Sequence, residues 1–325
     1  IIPLKKLLTA LLSGPQPPEA YCRIRTPTLV RMGKLGCDLF VRLAADRYVK
    51  VMKAGDEFAN SDLARYEKKS LDHLYLKTSD VRSVCDALED SIRLVSQLQS
   101  TRIESILELT SNTHEAIHAM TQKLGVTPQT SALIQSSVQL AVKSIQTTPS
   151  LASIFARLKM SEENYISEHS VVVAYACGAV AALLGFVSES VHQKLACAAF
   201  LHDLRIDDQR LARFQTVDQL RVSGIPFDPE TTQQFLDHPA AAAALAREAQ
   251  GMPSEVDTIV EQHHERPDGS GFPLGLTGSL IHPLAAIFIV AHDLVNHAAE
   301  SPAGFSIPEF SAKFEKIYLE GPFLE

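Results

Sequence analysis

Two histidines in direct succession open the run His263-His264-Glu265-Arg266-Pro267-Asp268-Gly269-Ser270-Gly271-Phe272-Pro273. Upstream stand His169, the pair His202-Asp203, and His238; downstream stands Asp293. Imidazole nitrogens suit first-row divalent metals, and a carboxylate can bridge two ions where an imidazole cannot. A single histidine is more often a core or capping residue than a ligand. Seven donors in this order exceed what one ion accommodates, so they point to a two-metal hydrolytic centre.

The order of these residues, with the glycine-paired loop after His264, resembles the HD-GYP family, a branch of the HD metal-dependent phosphohydrolases that degrades cyclic di-GMP. The resemblance covers roughly residues 150–300 and is carried by His169-Ser170, His202-Asp203, His238, His263-His264 and Asp293. It implies that Asp203 is the bridging, catalytic ligand. His169, His202 and Asp293 would then serve one ion, and His238, His263 and His264 the other. The implied cofactors are two divalent ions, iron or manganese before zinc, about 3.5–4 Å apart and activating a water toward phosphorus. Arg205, Arg266, Asp268, Gly271 and Phe272 are the expected substrate-side residues.

The chain departs from the family in four places. Tyr165 stands where many members carry a glutamate that recruits a third ion, so two ions are expected. The family's His-Asp pair is followed by glycine and lysine, whereas here Leu204, Arg205 and Ile206 follow. Arg205 can hold a phosphate, but a guanidinium is a poor proton donor. Phe272 keeps the ring of the loop tyrosine without its hydroxyl. No Lys or Arg occurs between Arg266 and Lys313, which removes the basic clamp of complete members.

These features predict a signalling phosphodiesterase, weak or atypical on cyclic di-GMP or another phosphoester. The alternative is a catalytically degenerate nucleotide-binding or protein-interaction module that retains the binuclear centre. A rival pattern, His114-Glu115-Ala116-Ile117-His118, matches the two-histidine zinc motif of proteases. It lacks a third ligand, since no Asp or Glu lies between His118 and Glu162. Its residues are expected on the polar face of a helix.

Composition sets the frame for these motifs. The chain has 325 residues, 46% hydrophobic, with 30 basic and 38 acidic side chains and a net charge of −8. That length suits two domains, and the acidity argues against a nucleic-acid polymer as partner. Five scattered cysteines without paired spacing fit a reducing cytoplasm. Leu4, Leu7, Leu8 and Leu11 space as an amphipathic helix, and no stretch reaches the roughly 20 apolar residues of a membrane span.

The expected fold class is α+β: a small α/β regulatory-like domain over 1–78, connecting helices over 79–148, and an all-α metal-binding bundle over 149–325. Strands are predicted over 38–43, 48–52 and 72–77, and a helix over 61–70. The stripe Val81, Val84, Leu88, Ile92, Val95 and Leu98 predicts a long helix packing within the chain, or against a second copy or a signalling partner. Thr127 and Pro128 read as a helix start. Five helices are expected to bring the ligands together.

Overall fold

The computed structural model describes residues 20–98, 102–145, 160–300, 308–312 and 315. The expected amphipathic helix near residue 4 and the domain boundary near Pro149 lie outside the described residues.

The N-terminal unit alternates short strands and helices: β1 (Tyr21–Arg25), α1 (Thr26–Met32), β2 (Leu39–Ala44), β3 (Arg47–Met52), α2 (Asn60–Glu67) and β4 (His73–Lys77). The strands form one sheet in the order β1-β4-β2-β3, and every neighbouring pair is antiparallel. The unit is therefore an antiparallel α+β arrangement. β2 and β3 form a hairpin across Ala45-Asp46, and β4 enters between the older strands rather than by a parallel crossover. β1 was not legible beforehand: Tyr21-Cys22-Arg23-Ile24-Arg25 alternates, but only Cys22 and Ile24 are apolar and buried.

α3 (Val81–Gln97) carries the predicted stripe, with Val81, Val84, Leu88 and Ile92 buried and Leu98, past its end, exposed. α4 (Ile103–Leu124) and α5 (Pro128–Ile145) follow. Thr127 Oγ1 accepts from Thr130 N at 3.1 Å, capping α5 with Pro128 as its first residue. One hydrophobic core runs without a break from Cys22 through these helices to Val295. The helices expected as connectors are thus built into the bundle.

The remaining helices are α6 (Tyr165–Leu183), α7 (Glu189–Leu201), α8 (Val217–Val222), α9 (Pro229–Glu248), α10 (Val256–Glu261) and α11 (Pro283–Glu300). Ser188 caps α7, and Asp228 Oδ1 accepts from Thr231 N to cap α9, with Pro229 at its first position. α6 is long and apolar enough to cross a membrane by length and composition, but most of it is buried in the bundle, and it carries His169. All five cysteines are free and buried. Burial pushes the Cys22 and Cys37 thiols up to about 11.

Candidate metal centre

The histidines are aimed by helix ends. A helix leaves its last carbonyls without intrahelical donors, and a side chain can take them. His202 follows α7 directly, and its Nδ1–H donates to Ala199 O at 2.9 Å. His263 follows α10, and its Nδ1–H donates to Val260 O at 2.6 Å.

His238 lies inside α9, where Pro239 supplies the same opening: proline has no N–H, so the carbonyl four residues back loses its partner. That carbonyl is Phe235 O, and His238 Nδ1–H donates to it at 2.6 Å. His264 Nδ1–H reaches Gln215 O at 3.1 Å, just ahead of the Thr216–Gln219 capping box that starts α8. In each case the carbonyl accepts only, so the proton sits on Nδ1 and Nε2 presents a lone pair.

Two groups of buried donors result. His169, His202, Asp203 and His292 form one, and His238, His263 and His264 the other, with donor atoms in each within 4.8 Å of one another. Asp203 joins them. Its Oδ2 lies 3.1 Å from His202 Nε2, and its Oδ1 lies 3.5 Å from His238 Nε2 in the second group.

Burial lowers the imidazole of His169 to about 3 and that of His238 to about 4, so both are neutral near pH 7. Burial likewise holds His263, His264 and His292 well below the ordinary value. Burial alone would raise the Asp203 carboxyl, but the surrounding imidazoles, His202 first, outweigh it and hold it below its ordinary value.

Six of the seven expected donors come together; Asp293 stands apart from them. Its Oδ1 accepts from Arg266 Nη2 at 2.9 Å, with both side chains buried. His292 takes the place in the first group, its Nε2 2.8 Å from His169 Nε2. Successive residues point about 100° apart around a helix, so only one of the two neighbours on α11 can face the cluster. His292 was invisible in the sequence because the motif drew attention to the aspartate beside it.

The substrate-side residues divide. Arg266 is buried against Asp293 rather than turned to an open site. Asp268 Oδ1 accepts from Ser270 N at 2.9 Å and from Ser270 Oγ at 2.6 Å, which shapes the loop. At Gly271 a Cβ would sit 2.3 Å from Arg266 N and 2.4 Å from Glu265 Cα, so close backbone approach requires glycine. Phe272 stacks on the His264 ring at 4.6 Å with planes 14° apart. Arg205 is half-buried in the turn after Asp203.

Glu265, which carried no role in the sequence reading, fastens the loop. It is fully buried, and its two carboxylate oxygens accept from Leu274 N and Leu276 N, each at 2.7 Å. Tyr165 stacks on His169 at 5.3 Å, and its hydroxyl donates to Asn296 Oδ1 at 2.9 Å.

The rival zinc pattern is buried rather than solvated, and it binds the protein's own backbone. His114 Nε2 meets Phe200 O at 2.9 Å and His118 Nε2 meets Ile206 O at 2.8 Å. Glu115 faces the sheet, 3.1 Å from Arg23 Nε and 3.3 Å from His73 Nε2.

Residues 128–307, more than half of the chain, match the family model of the HD domain. No curated protein matches the chain. A solved structure described as Bd1817, an HDG"Y"P protein from Bdellovibrio bacteriovorus, is similar in fold, with a TM-score of 0.58 at 22% identity over 93% of this chain and 94% of that one. With its His-Asp pair and helical bundle, this chain belongs to the HD domain family and has a fold of the HD-GYP type.

Proposed function

We propose that this HD domain protein is a metal-dependent phosphodiesterase, acting on cyclic di-GMP or another phosphoester through two divalent ions. One observation carries the reading. His238 Nε2 and His263 Nε2 lie 3.1 Å apart, yet each ring has its proton committed to a carbonyl through Nδ1. Two buried lone pairs facing each other are repulsive, and a cation between them resolves the repulsion. His202 Nε2 and Asp203 Oδ2 repeat the pattern: both are buried, 3.1 Å apart, and neither has a hydrogen-bond partner.

The donor chemistry fits. His169, His202, His292 and Asp203 would hold one ion, and His238, His263, His264 and the second oxygen of Asp203 the other. Imidazole-rich sites with one carboxylate suit iron and zinc by donor type, and the resemblance to the HD-GYP family adds manganese to the ions to be tried. Such ions, when bound, polarise phosphoryl oxygens and lower the pKa of a coordinated water.

The chain's own residues supply the setting. Asp203 is the one carboxylate in the two groups, so it supplies their negative charge. Phe235 and Phe272 pack on His238 and His264 and exclude water from that side. Arg205 offers a charge for a phosphate but no labile proton.

A second reading, a degenerate binding module, is favoured by one feature. Ile206 and Phe272, at the positions of the family's lysine and tyrosine, belong to an apolar cluster with Tyr165 and Phe235. The missing acid and hydroxyl are therefore replaced by packing, not by other polar groups.

The deciding experiment loads the protein with Fe²⁺ or Mn²⁺, measures metal stoichiometry, and assays bis(p-nitrophenyl) phosphate and cyclic di-GMP. Two ions per chain and turnover abolished by Asp203→Ala are expected. A fully loaded protein that hydrolyses neither ester would overturn the enzyme reading, and saturation at one ion would overturn the two-ion centre.

A further inference from the structure

A cleft of about 750 Å³ opens between the N-terminal sheet and α4, with Asp207 in its wall. The size lies inside the roughly 300–1,000 Å³ of small-molecule sites. Tyr21, Tyr48 and Tyr75 line it from the sheet. Tyr21 and Tyr48 stack at 3.9 Å with planes 11° apart, and Tyr75 meets Tyr48 edge-on at 5.3 Å. All three are half-buried, so the rings hold one another in place and still keep accessible surface. Such a platform loses little entropy on binding a flat ligand.

Charge narrows the ligand further. Arg42 from the sheet and Lys123 from α4 are exposed at the cleft, whereas Arg23 is already paired with Glu115. Asp46 and Asp207 line the same space. A bare anion would meet two carboxylates, and a purely apolar ring would leave the charged groups unused. A nucleotide answers all three chemistries. Its base stacks on tyrosine, its ribose hydroxyls donate to carboxylates, and its phosphate accepts from arginine and lysine.

We propose that this cleft is a nucleotide-binding site separate from the metal centre. Its helical wall is tied to the segment that carries Asp203. His118 and Gln122 both line the cleft, and their side chains hold Ile206 O and Leu204 O, each at 2.8 Å. A ligand pressing on α4 therefore bears on the backbone one and three residues beyond Asp203.

The test is calorimetric titration of the metal-loaded full chain with AMP and GMP, beside Asp203→Ala, Tyr48→Ala and Lys123→Glu. Saturable binding of at least one nucleotide is expected. Asp203→Ala should retain it, while Tyr48→Ala and Lys123→Glu should each weaken it about tenfold or more. Lys123 is exposed on the last turn of α4, so its replacement leaves folding intact. Adenosine and ribose 5-phosphate should each bind more weakly than AMP.

Binding lost in Asp203→Ala but unchanged in Lys123→Glu would put the nucleotide at the metal centre and overturn the proposal. So would no binding of either nucleotide at millimolar concentration, or ribose 5-phosphate binding as tightly as AMP. Because the readout is binding and not turnover, failure of the phosphodiesterase reading would leave the result interpretable.

Discussion

Replacing His292 and Asp293 one at a time separates two assignments of the first metal group. His292→Ala removes a buried donor whose Nε2 lies 2.8 Å from His169 Nε2 and leaves His169, His202 and Asp203. Loss of groups that merely orient a ligand already costs about 10–100-fold in metal affinity, so loss of a donor should cost at least that. One of two ions should then be lost on desalting, with the fold retained.

Asp293→Asn preserves shape but removes the negative charge paired with the Arg266 guanidinium, which is only 4% exposed. Breaking a buried pair costs about 3–5 kcal/mol, and the retained amide oxygen of asparagine favours the lower end. At about 2–4 °C per kcal/mol for a large domain, the melting temperature should fall by roughly 6–12 °C. Metal content should stay at two ions. Elemental analysis after manganese loading, with melting followed by circular dichroism, reads both quantities. If Asp293→Asn lost one ion while melting within about 2 °C of wild type, and His292→Ala kept both, the assignment of His292 would be refuted.

Replacing His114 and His118 together with alanine should leave metal content unchanged. It should also lower stability, since two buried carbonyls each lose a donor worth about 1–3 kcal/mol; metal loss from a folded variant would count against this. Gly271→Ala drives a Cβ into the backbone of Glu265 and Arg266, so a lower melting temperature and a protease-sensitive loop are expected. Wild-type resistance would show that the loop is not so tightly held. Ile206→Lys buries an ammonium in the cluster of Tyr165, Phe235 and Phe272, so it should destabilise rather than restore activity, as melting and turnover together would show.

A final expectation concerns pH. Burial lowers His114 to about 3 from the ordinary 6.5, so its contribution is complete above pH 6.5 and drains away as pH falls toward 3. In metal-free protein His114→Gln should flatten the acid limb by up to about 1.4 kcal/mol per pH unit, and an unchanged slope in denaturant titrations would contradict it.

Much of the site was legible because its donors obey a fixed order along the chain, and because helix ends and Pro239 mark where an imidazole can be aimed. What escaped depends on rotation and on partners far away in sequence. Nothing local distinguishes His292 from Asp293 on an apolar helix; the choice follows from Arg266, which turns toward α11 and takes the aspartate. Glu265 escaped for a similar reason, since its role rests on the amides of Leu274 and Leu276 after the chain has doubled back. Strands β2, β3 and β4 could be read from alternation and turns. β1 could not, because Arg23 and Arg25 are half-buried, with Glu115 and Asn112 of α4 as partners far away in sequence.

The same contacts explain why a metal-like motif stands where, among the described residues, no group of metal donors forms around it. His114, Glu115 and His118 are buried on α4 between two layers. Buried polar groups are costly unless satisfied, and a helix face that must meet carbonyls on one side and polar side chains on the other needs such residues. The histidines meet Phe200 O and Ile206 O on either side of His202-Asp203, while Glu115 takes Arg23 and His73 of the sheet. His73 and Arg23 hold the Glu115 carboxyl below its ordinary value although burial alone would raise it. An apolar α4 would offer no partner to that backbone or to the side chains of Arg23 and His73. The motif is therefore the fastening between sheet and bundle, and it grips the bundle at the segment that carries Asp203.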